Sequence, residues 1–124
     1  MPSRSETETK LVYNCLQYLK VKGIFAWRNN TGAAKAQYKG KRRFIRYGLK
    51  GSSDILGILP DGRFLAIECK RKGTYPTKDQ RAFLKQIEAN KGVALLVRNI
   101  ADLIRALEDQ GYVEPSGSDH LHPT

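Results

Sequence analysis

Apolar residues near the start of the chain recur at helical spacing. Leu11, Val12, Cys15, Leu16 and Leu19 fall on one stripe, so 5–22 is expected to form a helix, with Ser5 as its N-cap and Gly23 as its stop. The pattern then shortens. Residues 24–28 (IFAWR) read as a short strand, and 29–50 as a Gly-, Asn- and Lys/Arg-rich stretch with two weak strand fragments at 37–39 and 43–47. Two apolar runs, near 53–59 and 63–70, flank Pro60-Asp61-Gly62, where Pro suits the first turn position and Gly supplies a positive φ. A second helix is expected over 77–91, a buried strand over 93–97 (VALLV), and a last helix from an Asn99 cap to about 109. This order predicts one α/β domain over 5–110, a mixed central sheet flanked by helices. A polar tail over 111–124 follows, expected to lack fixed structure after Pro115.

The hairpin around Pro60-Asp61-Gly62 poses a chemical question, because its polar residues gather at one end. If those three residues form the loop, Leu59 faces Arg63, and counting back along the ladder sets Asp54 directly opposite Glu68. Alternation keeps Lys70 on that face and sends Leu65, Ile67 and Cys69 to the other. Opposed carboxylates repel unless positive charge lies between them. A divalent cation supplies it: Mg²⁺ takes one or two carboxylates, keeps several waters and completes its shell with phosphate oxygens. Lys70 is then placed to orient or deprotonate a water, or to steady charge developing on a phosphate. The plainer alternative is a solvated sheet edge with a salt bridge.

Two helical residues bear on that choice. Glu8 precedes Leu11, Val12 and Cys15 by three, four and seven positions, which sets it on the buried face of the first helix; Gln80 stands in the same relation to Phe83, Leu84 and Ile87 on the second. Each polar residue thus opens a core-facing stripe and looks toward the acids. Each also fits a capping box, as Ser5-x-x-Glu8 and Thr77-x-x-Gln80.

Composition adds a partner. The 124-residue chain carries 22 Lys and Arg against 12 Asp and Glu, a net charge of +10, which favours a polyanion, nucleic acid above all. The cations are concentrated. Arg28, Lys35, Lys39, Lys41, Arg42, Arg43, Arg46 and Lys50 lie in or beside the 29–50 stretch, which holds no acid, with Tyr38, Phe44 and Tyr47 among them. Cations meet phosphates and aromatic faces stack on splayed bases. Asn30, within Asn29-Asn30-Thr31-Gly32, brings an amide to a phosphate, and Arg71 and Lys72 add charge beside Lys70. The alternative for Lys41-Arg42-Arg43 is a solvated hairpin tip.

Other features subtract. Cys15 and Cys69 are too few for a disulfide framework, match no zinc spacing, and read as small buried hydrophobes. His120 and His122 fall in the tail and are expected to have no role. No apolar run is long enough for a membrane span, and MPSRSETETK has no hydrophobic centre, so the chain is expected to stay in the compartment where it is made. No helix-turn-helix or zinc module is evident, which favours recognition of DNA shape over base sequence.

Taken in order, SETETKLVYNCLQYL with Glu8, GSSDIL with Asp54, PDGRFLAIECK with Glu68-x-Lys70, TYPTKDQRAFL with Gln80, and the strand GVALLVRN resemble the PD-(D/E)XK nuclease superfamily. More narrowly the chain is similar to the VRR-NUC (virus-type replication-repair nuclease) family, over 5–107. The resemblance implies a restriction-endonuclease-like core and a Mg²⁺ or Mn²⁺ cofactor. Asp54 and Glu68 would be the metal-binding acids, with the backbone carbonyl of Cys69 a further ligand and Lys70 the catalytic lysine. Glu8 would match the helix acid that helps hold the metal's waters or a second metal. Gln80 would match the glutamine that supports the lysine and the substrate phosphate. Ser53 stands where many superfamily members have Pro. Stand-alone members of the family resemble homodimeric junction-cleaving enzymes, and embedded ones flap nucleases. The implied function is that of a metal-dependent, structure-selective DNA endonuclease, a homodimeric Holliday-junction resolvase of DNA repair and recombination. It would act at the nucleoid in the cytoplasm of a bacterial or phage-infected cell. The apolar face of the first helix and the loop at 38–47 are the expected dimer surfaces. The rival readings are a flap or restriction-like endonuclease, and a non-catalytic DNA-binding module that keeps the fold.

Overall fold

The structure, a computed structural model, describes the backbone of residues 4–30, 32–38 and 41–115 and the side chains of 7–30 and 48–115. Its elements follow in the order α1 (Arg4–Val21), β1 (Phe25–Arg28), β2 (Gly32–Tyr38), β3 (Lys41–Tyr47), β4 (Ile55–Ile58), β5 (Phe64–Cys69), α2 (Lys78–Ala89), β6 (Val93–Val97) and α3 (Ile100–Asp109). A mixed four-stranded sheet runs β1-β4-β5-β6; β1, β4 and β5 pair antiparallel, and β6 joins β5 in parallel after the α2 crossover.

Alternation along β5 divides the core. Leu65, Ile67 and Cys69 face α1 and α3, where Leu11, Val12, Cys15, Leu19, Leu103 and Leu107 bury their side chains. Fully burying a Leu or Ile is worth about 1.5–3 kcal/mol, so this layer accounts for much of what holds the sheet to its helices. On the other face α2 lies against β5 and β6, with Phe83, Leu84 and Ile87 half-buried. The uncovered part of that face exposes Phe25, Trp27, Ile58 and Phe64. No described helix is long and apolar enough to cross a membrane.

Three expectations need correcting. Helix α1 already includes Arg4, so Ser5 lies inside it rather than at its cap. The apolar stripe of α1 packs into the core, so any dimer contact on this helix would fall to its exposed apolar residues Tyr13 and Val21. The two weak fragments are longer strands that pair with each other from Gly32↔Tyr47 to Tyr38↔Lys41, forming a two-stranded sheet of their own. Ala, Lys, Arg and Gly have poor β-propensity, so the ladder, not the composition, defines this arm. Lys39 and the tail after Pro115 lie outside the described residues.

Candidate metal centre

The turn between β4 and β5 has the expected form. Leu59 N–H donates to Arg63 O at 2.8 Å, Gly62 N–H to Leu59 O at 2.8 Å, and Gly62 takes φ +91°. The register Ile55↔Ile67 therefore continues by one step to place Asp54 opposite Glu68, as counting from the turn predicts. Asp54 is held from two sides. Its carbonyl accepts Asn29 N–H at 2.8 Å, and its Oδ2 accepts Cys69 N–H at 2.8 Å. Asn29 Nδ2 also donates to Ser52 Oγ (2.6 Å) and Ser53 O (3.0 Å), so the end of β1 fixes the approach to Asp54. The fold thus spends the Asn29 amide internally, while its neighbour Asn30 is exposed.

Glu68 is only 1% exposed, and its Oε2 has no hydrogen-bond partner among the described residues. A buried, unpaired carboxylate is costly. Burial first, then the adjacent Asp54 carboxylate, push the Glu68 carboxyl up to about 9; Lys70 pulls the other way, and Glu8 adds a smaller upward push. An orphaned oxygen beside a second, backbone-oriented carboxylate fits a hard divalent cation. Among the described residues no group of three or more His, Cys, Asp or Glu side chains is arranged to hold an ion. The side-chain donors brought together are the Asp54–Glu68 pair, and a two-carboxylate set is what Mg²⁺ accepts.

Lys70 is half-buried and continues the β5–β6 ladder, its N–H donating to Val97 O at 3.0 Å. Glu8 reaches the next turn instead of joining the pair. Its Oε2 accepts Arg71 N–H at 3.4 Å and lies 3.5 Å from the Thr74 hydroxyl, which itself is 2.8 Å from Arg71 O. The short contact to Arg71 O takes the hydroxyl proton better, so Glu8 acts chiefly on the Arg71 amide. Gln80 closes the capping box of α2: its Oε1 accepts Thr77 N–H at 2.8 Å and its N–H donates to Thr77 Oγ1 at 3.2 Å.

Arg98 had no assigned role in the sequence. Its Nη1 donates to Arg71 O at 2.9 Å and to Thr74 O at 2.6 Å, clamping from the end of β6 the loop that Glu8 holds from α1. Its signal was slight: a charge directly after a buried strand. A third tie joins the loop after β3 to α2. Gly51 takes φ +85°, and a Cβ there would lie 2.5 Å from the carbonyl carbon and oxygen of Asp79. Lys50 pairs with Asp79 at 3.3 Å, so part of its charge is spent within the fold. Of the other expected DNA contacts, Arg28, Asn30 and Lys72 are exposed, while Arg71 is half-buried and its Nε has no partner among the described residues. Lys35, Lys41, Arg42, Arg43 and Arg46 lie on the β2–β3 arm. The cavity of about 430 Å³ beside β1, lined by Leu16, Lys20, Phe25 and Trp27 among others, includes neither acid.

Comparison of the chain with family models, with curated proteins and with solved structures finds no match.

Proposed function

We propose that this protein is a divalent-metal-dependent DNA endonuclease with a PD-(D/E)XK core, related to the VRR-NUC nucleases. The observation that carries the reading is Glu68, a buried carboxyl with an unpartnered oxygen, set opposite Asp54 and two residues before Lys70. A module that only bound DNA would need the cations and not a pair of opposed acids, one of them buried at a cost to folding. Asp54 and Glu68 would hold Mg²⁺ or Mn²⁺, with the Cys69 carbonyl as a further donor. A bound ion supplies Lewis acidity toward a phosphodiester oxygen and acidifies water. The chain does the rest. The Cys69 N–H orients Asp54, and Lys70 faces the reacting phosphate, where it steadies developing charge or takes the proton of the attacking water. Glu8 and Gln80 act as supports, Glu8 through the 71–74 loop and Gln80 through the first turn of α2.

The substrate is branched DNA, gripped through its backbone by the basic arm and by Arg71 and Lys72. Symmetric cutting of a four-way junction requires two sites, hence a homodimer. The setting is the nucleoid of a bacterial or phage-infected cell.

The test uses end-labelled four-way junction, 5′ flap, plain duplex and single strand, with Mg²⁺, Mn²⁺ or EDTA, beside Lys70→Ala. Paired symmetric nicks in the junction, abolished by EDTA and reduced roughly a hundredfold or more in the variant, support the reading. Flap cutting alone keeps the site and replaces the substrate. Tight junction binding with no cleavage in either metal overturns the enzyme.

A further inference from the structure

Tyr75 follows the clamped 71–74 loop and is 74% exposed, although a ring of that size contributes more to a fold when buried. It is nevertheless held in place. The Arg98 guanidinium lies 5.2 Å from the ring centroid, and Arg98 is itself fixed by the carbonyls of Arg71 and Thr74. On the other side Arg81 Nη1 donates to Pro76 O at 2.6 Å, and Pro76 biases Tyr75 to an extended backbone. The ring therefore has a guanidinium near one face and is otherwise largely exposed.

Its neighbourhood has a consistent sign. From Lys70 to Arg81 the chain carries Lys70, Arg71, Lys72, Lys78 and Arg81 against a single acid, Asp79, which Lys50 pairs. The loop below the ring is bound to Glu8, which is near enough to the Asp54–Glu68 pair to act on it electrostatically. An exposed aromatic ring backed by a fixed guanidinium, among cations and on the segment that follows Lys70, matches the chemistry of a nucleobase that has left its stack.

Resting on the endonuclease reading above, we infer that Tyr75 is a stacking platform for an unstacked base at the branch point of the DNA, next to the strand to be cut. At a branch point the last pair of an arm can lose one of its stacking neighbours, which every internal pair of plain duplex keeps. The ring would thus select branched DNA, while the cations hold any DNA.

The test needs no cleavage. A four-way junction and a plain duplex, each with 2-aminopurine in place of one base (at the branch point in the junction), are titrated in EDTA with the wild-type protein and with Tyr75→Phe, Tyr75→Leu and Tyr75→Ala. Wild type and Tyr75→Phe should quench the branch-point fluorescence. Tyr75→Ala and Tyr75→Leu should not, and should bind the junction about tenfold more weakly while binding duplex as before. Unchanged quenching in Tyr75→Leu overturns the inference, as does an equal loss of affinity for junction and duplex. If Tyr75→Ala fails to fold, the Phe and Leu pair, which keep the bulk and differ in the ring, decides alone. Absence of cleavage of every DNA in Mg²⁺ and Mn²⁺ would sink the nuclease reading and leave the quenching result standing. Cleavage of junctions without quenching would sink the platform alone.

Discussion

Glu68 concentrates the chemistry of this protein at a single carboxyl. In the unfolded chain it ionises near 4.5, whereas in the metal-free fold it holds its proton to about 9. The unfolded state therefore loses the proton first, and stability falls as pH rises through that window, by an amount on the order of several kcal/mol. Thermal melts in EDTA should show the melting temperature declining from pH 5 to pH 9, and Mg²⁺ should restore it most at the alkaline end. Glu68→Gln, which cannot ionise, should flatten the metal-free profile and abolish the Mg²⁺ shift. A wild-type profile as flat as the variant's would refute the buried acid. The placing of Asp54 opposite Glu68 was legible because a two-residue period and a three-residue turn suffice to count across a hairpin. The partners of Glu8, Asn29 and Arg98 were not legible, because each bonds to a segment more than twenty positions away.

Among the elements, the loop that returns from the β2–β3 arm has least freedom where it meets α2. Gly51 combines a positive φ with an approach to the Asp79 backbone that leaves no space for a side chain. Gly51→Ala should cost about 1–3 kcal/mol or more in urea unfolding and loosen the start of α2 with it. An unchanged midpoint would refute the contact. Helices α2 and α3 were readable from their caps: Thr77 and Asn99 each bind the N–H three residues on. The arm was half-readable. Its sequence lacks the alternating apolar pattern by which strands are recognised, and what defines it is the pairing of β2 with β3 in a sheet separate from β1-β4-β5-β6.

For the whole molecule the net charge of +10 sets the behaviour in salt. DNA affinity should fall steeply with ionic strength, the slope of log K against log salt being about −0.9 for each phosphate neutralised. Replacing 32–47 by a short Gly-Ser linker removes Lys35, Lys39, Lys41, Arg42, Arg43 and Arg46. The replacement should make the slope shallower by several units while leaving the urea midpoint nearly unchanged. Equal slopes in a titration series from 50 to about 300 mM salt would show that the arm does not touch DNA. Oligomeric state belongs to the same scale. The stripe of α1 is used inside the fold, so sedimentation of the arm replacement beside wild type would show whether the arm joins two copies.

The sequence by itself determined what depends on near neighbours: the helices and most strands, the turn at Pro60-Asp61-Gly62, the register that opposes Asp54 to Glu68, and the basic character of the chain. These follow from periodicity, turn chemistry and composition, all of which act within a few residues. The tertiary structure alone decided how deeply Glu68 is buried, that its Oε2 has no partner among the described residues, that Glu8 and Arg98 both bond to the 71–74 loop, and that the exposed Tyr75 ring sits by Arg98. Burial and hydrogen-bond satisfaction depend on which distant segments arrive at the same place, and one chain's local pattern does not encode that arrival.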